Sequence, residues 1–179
     1  MNNSKISNKK ELLDTITKLH FEAYHLIQSS FSKYFPNAGN VGIFCHYEDE
    51  YNNLIKIRDS LSYKSSEPNR KYFKLKQPIV TEAKNEIPQV KYTHLYIREP
   101  DPSPYGEHLG DIDFFVKDSE YKELLDEVDK GRIKNAIIYI QDGIGKIIQV
   151  ANDSIETLAY ISTKNITETI RFNQVSSQF

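Results

Sequence analysis

Several residue types that often reveal a function are scarce in this chain. It has no tryptophan and a single cysteine, Cys45. One cysteine excludes an intramolecular disulfide framework and a zinc site built from several thiolates. Cys45 lies in the apolar run GIFCHY, where a buried and inert thiol is the expected state. His46 follows it directly, but neighbours on a strand point to opposite faces, so we do not expect the two to act as nucleophile and base.

Long apolar runs and an excess of charge of either sign are also missing. No apolar segment reaches the length of a membrane-spanning helix, and the first residues, MNNSKISNKKELLD, lack the apolar core of a signal peptide. The net charge is -2, from 23 basic and 25 acidic residues, so the chain lacks the basic character of a nucleic-acid binder. We therefore expect a cytoplasmic protein that binds neither membrane nor nucleic acid.

Familiar catalytic motifs are absent as well. Gly143 and Gly145 lie in the run DGIGK, which lacks the ending of a phosphate-binding loop and is typical of a hairpin turn. The chain contains no nucleophile elbow, no HExxH zinc motif and no dinucleotide-binding fingerprint. Any reaction would therefore have to use residues outside these known patterns.

The residues that are present favour one α+β domain. The chain has 179 residues, of which 39% are hydrophobic and 27% charged, which is enough to bury a core of its own. We predict a flexible polar tail over residues 1–8, an amphipathic helix over 9–35 and an α+β domain over 41–172. The helix has an apolar stripe at helical spacing. This stripe should pack on the domain or on a second copy of the chain, so a homodimer is one expected state.

The α+β domain has an internal rhythm of strand, helix, strand and strand. One such unit runs from Val41 to Arg98 and another from Asp111 to Thr163. In each, a strand leads directly into a helix that begins with acidic residues, in the segments HYEDEYNNL and VKDSEYKELL. Acidic residues are favourable at the start of a helix. The pattern predicts a single, mainly antiparallel or mixed sheet.

This rhythm resembles the vicinal-oxygen-chelate proteins, the glyoxalase and dioxygenase group built from paired βαβββ modules. The segment IYIQDGIGKIIQV is similar to the ending of those modules, and the resemblance covers residues 41–163 in element order. The metal site of that family takes a His from an early strand and a Glu from a late strand of each module. Here His46 matches one position, while the second unit offers Asp111 or Asp113 early and Gln149 late. The family's metal pattern is therefore not matched. The same fold plan also serves metal-free binding and sequestering proteins, and the mismatch favours that class.

The stretch from Tyr92 to Val116 is the most promising site. Two alternating runs flank a loop with three prolines, Pro100, Pro102 and Pro104, which restrict the backbone. Because side chains alternate along a strand, each run should place its polar groups on one face. Those groups are Tyr92, His94, Tyr96 and Arg98 on the first run and Asp111 and Asp113 on the second. If the runs pair as a hairpin, these groups converge.

Each group in this stretch has a chemical use. Arg98 offers a planar fork for a carboxylate or phosphate, and His94 titrates near neutral pH. Tyr105 and His108 on the loop would close the pocket. We predict ligand binding by Tyr96, Arg98, Tyr105 and Asp113, with His94, His108 and Asp111 as candidate catalytic residues.

The same residues also fit a purely structural interpretation. Arg98 could form an ion pair with Asp111 or Asp113 on the solvated face of a sheet, since such faces alternate polar and apolar residues. The proline loop could then be a cover for a sheet edge or a contact surface for a partner.

A metal is a less favoured possibility. Asp111 and Asp113, with His94 or His108, could face one Mg²⁺ or Mn²⁺ ion. However, an isolated DxD is common by chance and no further ligand motif completes it. We therefore predict no cofactor.

Three functions remain open from the sequence. The first is a binding or sequestering protein for a small polar or anionic ligand near residues 92–116. The second is a hydrolase or lyase acting on a phosphate- or carboxylate-bearing substrate, with a histidine as general acid or base and Arg98 stabilising negative charge. The third is a protein–protein interaction module. The sequence does not decide whether the protein is an enzyme.

Overall fold

Eleven helices and strands make up the described part of the chain. The structure is a computed structural model that describes residues 5–66 and 70–171, without the side chains of residues 104 and 105. A short 3-10 turn covers Pro104–Glu107. In chain order the elements are α1 (Lys9–Phe31), β1 (Ala38–Phe44), α2 (Glu48–Leu61), β2 (Phe73–Thr81), β3 (Val90–Arg98), β4 (Gly110–Val116), α3 (Asp118–Asp129), β5 (Ala136–Gln141), β6 (Gly145–Val150), β7 (Thr157–Thr163) and α4 (Lys164–Ile170).

The seven strands form one mixed sheet in the order β2-β3-β1-β4-β7-β6-β5. Within each unit the first strand pairs in parallel with the last, β1 with β3 and β4 with β7. The remaining pairs are antiparallel, including the β1–β4 pair that joins the two units. The predicted α+β class, the single mixed sheet and the leading helix are confirmed. The second unit has three strands after its helix.

The predicted hairpin between the two polar runs is wrong, because β1 lies between β3 and β4. Residues Asn40 to Phe44 of β1 are all buried, as suits a central strand with both edges paired. The loop from Glu99 to Leu109 therefore bridges the end of β1 instead of making a turn. The backbone N–H of Phe44 donates to the carbonyl of Leu109, and that of Cys45 donates to the carbonyl of Arg98, each at 3.0 Å.

Helices α1, α2 and α3 share a hydrophobic core on one face of the sheet, which we call the outer face. The buried stripe of α1 packs there, with the Tyr24 ring against Phe114 at a centroid distance of 4.9 Å. The opposite face, which carries Asp111 and Asp113, is the inner face. There Ile170 of α4 forms a second, smaller cluster with Tyr72 and Ile147. One helix therefore covers part of the inner face, and three cover the outer face.

The start of α1 is fixed by local hydrogen bonds. The Asn8 side chain accepts from the backbone N–H of Glu11 at 3.0 Å, and Glu11 accepts in return from the backbone N–H of Ser7 at 2.7 Å. Upstream, Ile6 is buried and its backbone N–H donates to Glu50 at 2.8 Å. The described residues before α1 are thus packed against α2. Among the described helices, none has the length and apolar character needed to cross a bilayer.

The docking of α1 gives a direct stability test. Ile16 is fully buried, so Ile16→Ala should lower the free energy of unfolding by about 2–5 kcal/mol through lost burial and the cavity left behind. Urea denaturation followed by circular dichroism measures this. Thr17→Ala, at an exposed position of the same helix, is the control and should change stability by less than about 0.5 kcal/mol. Equal effects of the two substitutions would contradict the packing of α1.

Candidate functional site

Two buried carboxylates form the centre of the inner face. Asp111 and Asp113 project from β4 and are only 2% and 5% exposed. The adjacent β1 places Gly42 opposite Asp111 and Asn40 opposite Asp113. The alternative interpretation, in which these aspartates lie on a solvated sheet face, is therefore wrong, because both side chains are buried.

Asp113 is held by a chain of hydrogen bonds. It accepts from the Asn40 amide at 2.8 Å and from the Tyr72 hydroxyl at 3.3 Å. The Asn40 carbonyl oxygen in turn accepts from Nε of Arg171 at 2.7 Å, and its amide nitrogen also donates to the carbonyl of Thr167 at 3.3 Å. The amide of Asn40 is thus fixed between a guanidinium and a carboxylate.

Asp111 is less well satisfied. Its Oδ1 atom is buried and has no hydrogen-bond partner within the described residues. The carboxylate lies directly over Gly42, where an added Cβ would come within 2.1 Å of Oδ1. Glycine is therefore required at position 42 by close approach, not by an unusual backbone angle.

Burial dominates the ionisation of both aspartates. Burial, with a smaller contribution from the charge of Asp113, raises the pKa of Asp111 to about 7, against the opposing charges of Lys71 and Arg98. Burial also raises the pKa of Asp113, against the hydrogen bond from Asn40 and the charge of Lys71. Since like charges in one buried site disfavour double ionisation, the pair retains a proton at pH values where exposed aspartates have lost theirs.

Strand β3 completes the inner face, but with a break in its alternation. The register along β2 shifts between the pairs Lys74↔His94 and Ile79↔Tyr92. Tyr92 consequently lies on the outer face, where its hydroxyl is 2.9 Å from Nδ1 of His20 on α1. The expectation that Tyr92 shares a face with the other polar residues of β3 is wrong, because this irregularity inverts the alternation.

Tyr96 lies on the inner face, opposite Gly42 in the register. Its ring packs on that of Tyr72, with centroids 5.5 Å apart. Lys71 places its ammonium 4.9 Å from the centre of the Tyr96 ring. Burial raises the pKa of Tyr96, and the charge of Asp111 acts in the same direction. Tyr96 is therefore a neutral phenol beside the carboxylate pair.

His94 is nearly buried on the same strand. Burial, together with the charges of Arg171, Arg70 and Lys74, lowers its pKa to about 4. Its Nδ1 atom is 3.0 Å from the hydroxyl of Thr93. His94 is therefore a neutral imidazole surrounded by positive charge near pH 7, which makes it a weak base.

Arg98 has its ion pair with Asp101 of the proline loop, and its guanidinium lies over the Phe44 ring at 5.2 Å. The expected alternative of an ion pair with Asp111 or Asp113 is not among the described contacts. Arg98 still acts on the pair through its charge, which lowers the pKa of Asp111.

The two loop residues of the predicted site have different positions. Burial lowers the pKa of His108. The charges of Glu107 and Asp153 and a hydrogen bond with the backbone of Glu156 oppose this shift. None of its described contacts joins it to the carboxylate pair. Tyr105 lies in the 3-10 turn, and its side chain is outside the described part of the chain.

The described residues do not form a metal centre. No group of three or more His, Cys, Asp or Glu side chains gathers among them. His46, which matched one position of the family's metal pattern, has its Nε2 atom 3.2 Å from the carbonyl oxygen of Glu107. Gln149 offers an amide where that pattern has a carboxylate. The donor set therefore does not fit the metal site implied by the resemblance.

Sequence reasoning missed three residues of the site, namely Asn40, Gly42 and Arg171. Asn40 and Gly42 on β1 are spaced by two, like the two aspartates on β4. That spacing was a usable signal. No signal in the sequence indicated Arg171, because this residue reaches the site only when α4 packs across the inner face.

Comparisons with known proteins support the fold alone. No family model matches the chain, and no curated protein matches it. A solved structure named "Structural Genomics, Protein EC4020" aligns over 89% of this chain and 91% of its own, with a TM-score of 0.53 and 9% identity. A glyoxalase/bleomycin resistance protein/dioxygenase superfamily member from Vibrio splendidus 12B01 aligns over 68% of this chain and 94% of its own, with a TM-score of 0.35 and 11% identity. The second likeness is too distant to carry an argument.

The contact between Gly42 and Asp111 can be tested by a double-mutant cycle. Gly42→Ala should lower the free energy of unfolding by about 1–3 kcal/mol, because its new methyl group collides with the carboxylate. In the Asp111→Ala background the same change should cost at least about 1 kcal/mol less, since the colliding group is gone. Urea denaturation at pH 7 of the four proteins gives the coupling energy. Strict additivity would show that the two residues do not touch.

The ionisation of Asp111 predicts a pH-dependent stability. Its pKa is raised in the folded state, so its contribution is fully present below the unfolded value near 4 and is lost as the pH rises through about 7. The free energy of unfolding of the wild type, minus that of Asp111→Asn, should therefore fall by up to about 1.4 kcal/mol per pH unit in this window.

Buried His20 and His94 have the opposite pH dependence but are common to both proteins and largely cancel in the difference. Urea denaturation at pH 4 to 8 supplies the two curves. A difference that stays constant over this range would show that Asp111 ionises like an exposed aspartate.

Proposed function

We propose that this protein binds a small polar molecule with an anionic group on the inner face of its sheet, at Asp111 and Asp113. The observation that carries the proposal is the Oδ1 atom of Asp111, which is buried without a hydrogen-bond partner among the described residues. A buried polar atom left unsatisfied costs about 1–3 kcal/mol. A ligand that donates a hydrogen bond to this atom would remove that cost.

The protonation of the pair indicates which ligand groups would fit. With its pKa raised to about 7, Asp111 exists near neutral pH both as a carboxylate, which only accepts hydrogen bonds, and as a carboxylic acid, which also donates one. Hydroxyl and amide groups can serve as both donor and acceptor, so they match either state. The neutral Tyr96 phenol beside the pair offers one more such contact.

The charges around the pair favour an anionic group elsewhere on the ligand. The positive charge of Lys71 lowers the pKa of both aspartates. The charge of Arg171 lowers the pKa of Asp113 and that of His94. Lys71 is held over the rings of Tyr72 and Tyr96, with no carboxylate partner among the described residues. Because its charge is not neutralised at short range, it would attract a phosphate or carboxylate.

A groove of about 200 Å³ adjoins the site and shares Arg171 with it. Lys91, Lys164, Thr93 and Thr167 also line it, and Glu168 is its acidic residue. Pockets for drug-sized ligands measure about 300–1,000 Å³. The smaller volume and the cationic lining suit a metabolite with one anionic group.

An acid–base enzyme is the second candidate, favoured by the ionisation of Asp111. A catalytic acid or base works best with a pKa near the working pH, and Asp111 fits that condition, whereas His94 does not. The substrate class would be the one inferred from the sequence, a phosphate- or carboxylate-bearing molecule undergoing hydrolysis or elimination. Conversion of a bound compound, and not merely its retention, would distinguish this candidate.

Equilibrium dialysis can test the proposed function. The purified full chain is dialysed against a defined mixture of sugar phosphates, hydroxy acids and amino acids, and the retained compounds are measured by mass spectrometry. We expect retention of at least one anionic compound, with affinity reduced about tenfold or more by Asp111→Ala, as for loss of a hydrogen bond to a charged group. Lys71→Gln should weaken binding of that compound while leaving the fold intact.

Glu123→Gln, on the exposed surface of α3, is the matched control that removes a carboxylate away from the inner face. It should bind as the wild type does. Retention of no compound from the mixture, or equal retention by Asp111→Ala and the wild type, would count against this function.

A further inference from the structure

The two edges of the sheet differ in how they are protected. Strand β2 forms one edge and carries Lys74, Lys76 and Pro78, together with the register irregularity described above. Lysine, proline and bulges are the usual features by which proteins prevent an edge strand from pairing with another chain. These features disfavour pairing of β2 with a strand of another chain.

The opposite edge, β5, has none of these features. Its sequence AIIYIQ contains no charge and no proline, and Ile137, Tyr139 and Ile140 are 58%, 43% and 67% exposed. Among the described residues, β5 pairs with β6 alone, and no strand pairs with its other edge. An uncharged segment with high strand propensity and a free edge is an aggregation hazard unless something covers it.

We propose that β5 pairs in antiparallel fashion with β5 of a second copy of this chain, so that two sheets become continuous. A two-fold axis at Ile138 places Ile137 opposite Tyr139 of the other copy, and Ala136 opposite Ile140. Pairs of an aromatic and a β-branched residue are favourable across antiparallel strands. All three exposed apolar side chains would then have a partner.

The charges that flank β5 favour this occupant over an unrelated strand. Lys134 lies just before the strand and Asp142 just after it, and both are exposed. Neither has an ion-pair partner among the described residues. Lys134 and Asp142 lie in the turns at the two ends of β5, outside the strand itself. Antiparallel pairing brings the Lys134 end of each copy beside the Asp142 end of the other, so opposite charges meet at both ends of the interface. Parallel pairing of the two strands would instead bring like charges together.

The dimer would leave the inner face accessible. Tyr139 pairs with Ile147 of β6, which belongs to the inner cluster, so Ile137 and Tyr139 lie on the inner face. Because inner-face residues lie opposite inner-face residues in the proposed register, the two inner faces lie on the same side of the joined sheet. The dimer therefore extends the surface around the two carboxylate sites without covering it.

Sedimentation equilibrium tests the dimer, at protein concentrations of about 1–100 µM, because the fraction of dimer depends on protomer concentration. The wild type should sediment as a dimer. Ile137→Lys should raise the dimer dissociation constant about a hundredfold, since it opposes a charge to an aromatic ring and removes apolar contact. Val80→Lys, at an exposed position of the other edge strand, is the control and should leave the mass unchanged.

Charge exchange tests the antiparallel orientation of the two strands. Lys134→Glu should weaken the dimer about tenfold, because two flanking attractions become repulsions. Adding Asp142→Lys to that variant should restore the affinity to within about threefold of the wild type. Circular dichroism spectra of all variants confirm that the fold is retained.

Three results would overturn the proposal: a wild type that is monomeric at the highest concentration, equal effects of Ile137→Lys and Val80→Lys, or failure of the double charge exchange to restore association.

Discussion

The close approach of β1 and β4 is the constraint on which the rest of the structure depends. These strands join the two halves of the sheet, and they approach each other most closely at two glycines, Gly42 and Gly110. A Cβ on Gly110 would come within 2.2 Å of the carbonyl oxygen of Gly42, just as a Cβ on Gly42 would meet Asp111. The two units can therefore share one continuous sheet only because both strands carry glycine at this point.

This approach also determines the electrostatics of the inner face. With Gly42 beside it, Asp111 is buried against backbone and gains no side-chain donor, whereas Asp113 gains the amide of Asn40. Two carboxylates on the same strand thus have different environments. Asp113 is satisfied by the protein, whereas Asp111 has a buried oxygen atom without a hydrogen-bond partner among the described residues. Differences of this kind commonly separate a structural acid from a functional one.

The sequence predicted the elements well because their signals are local. The two units predicted to end at Arg98 and at Thr163 do so, since β3 and β7 end at these residues. The hairpin was wrong because strand order is a non-local property, and nothing in the sequence of the proline loop reveals that another strand lies beneath it. The alternation of β3 failed at Tyr92 for a similar reason, since the irregularity arises in the pairing with β2.

The site itself was predicted only in part. Asp111 and Asp113 share the inner face because a spacing of two places them on one side of β4. His94 and Tyr96 share that face on β3, two strands away. His108 is separated from them by the path of the loop, and Arg171 could not be anticipated, since a helix crossing a sheet leaves no periodic trace. A single sequence gives little information about side chains that a distant segment places on a sheet face.

The hydrogen bonds of Asn40 have a consequence for the energetics of the whole inner face. Its amide joins Arg171, at the end of α4, to the carboxylate of Asp113. A change in the position of α4 must therefore alter the stabilisation of that carboxylate, and a change in its charge must alter how firmly α4 is held. By thermodynamic reciprocity these two effects are equal in free energy. The seating of one short helix and the proton content of the carboxylate pair are in this sense a single coupled equilibrium.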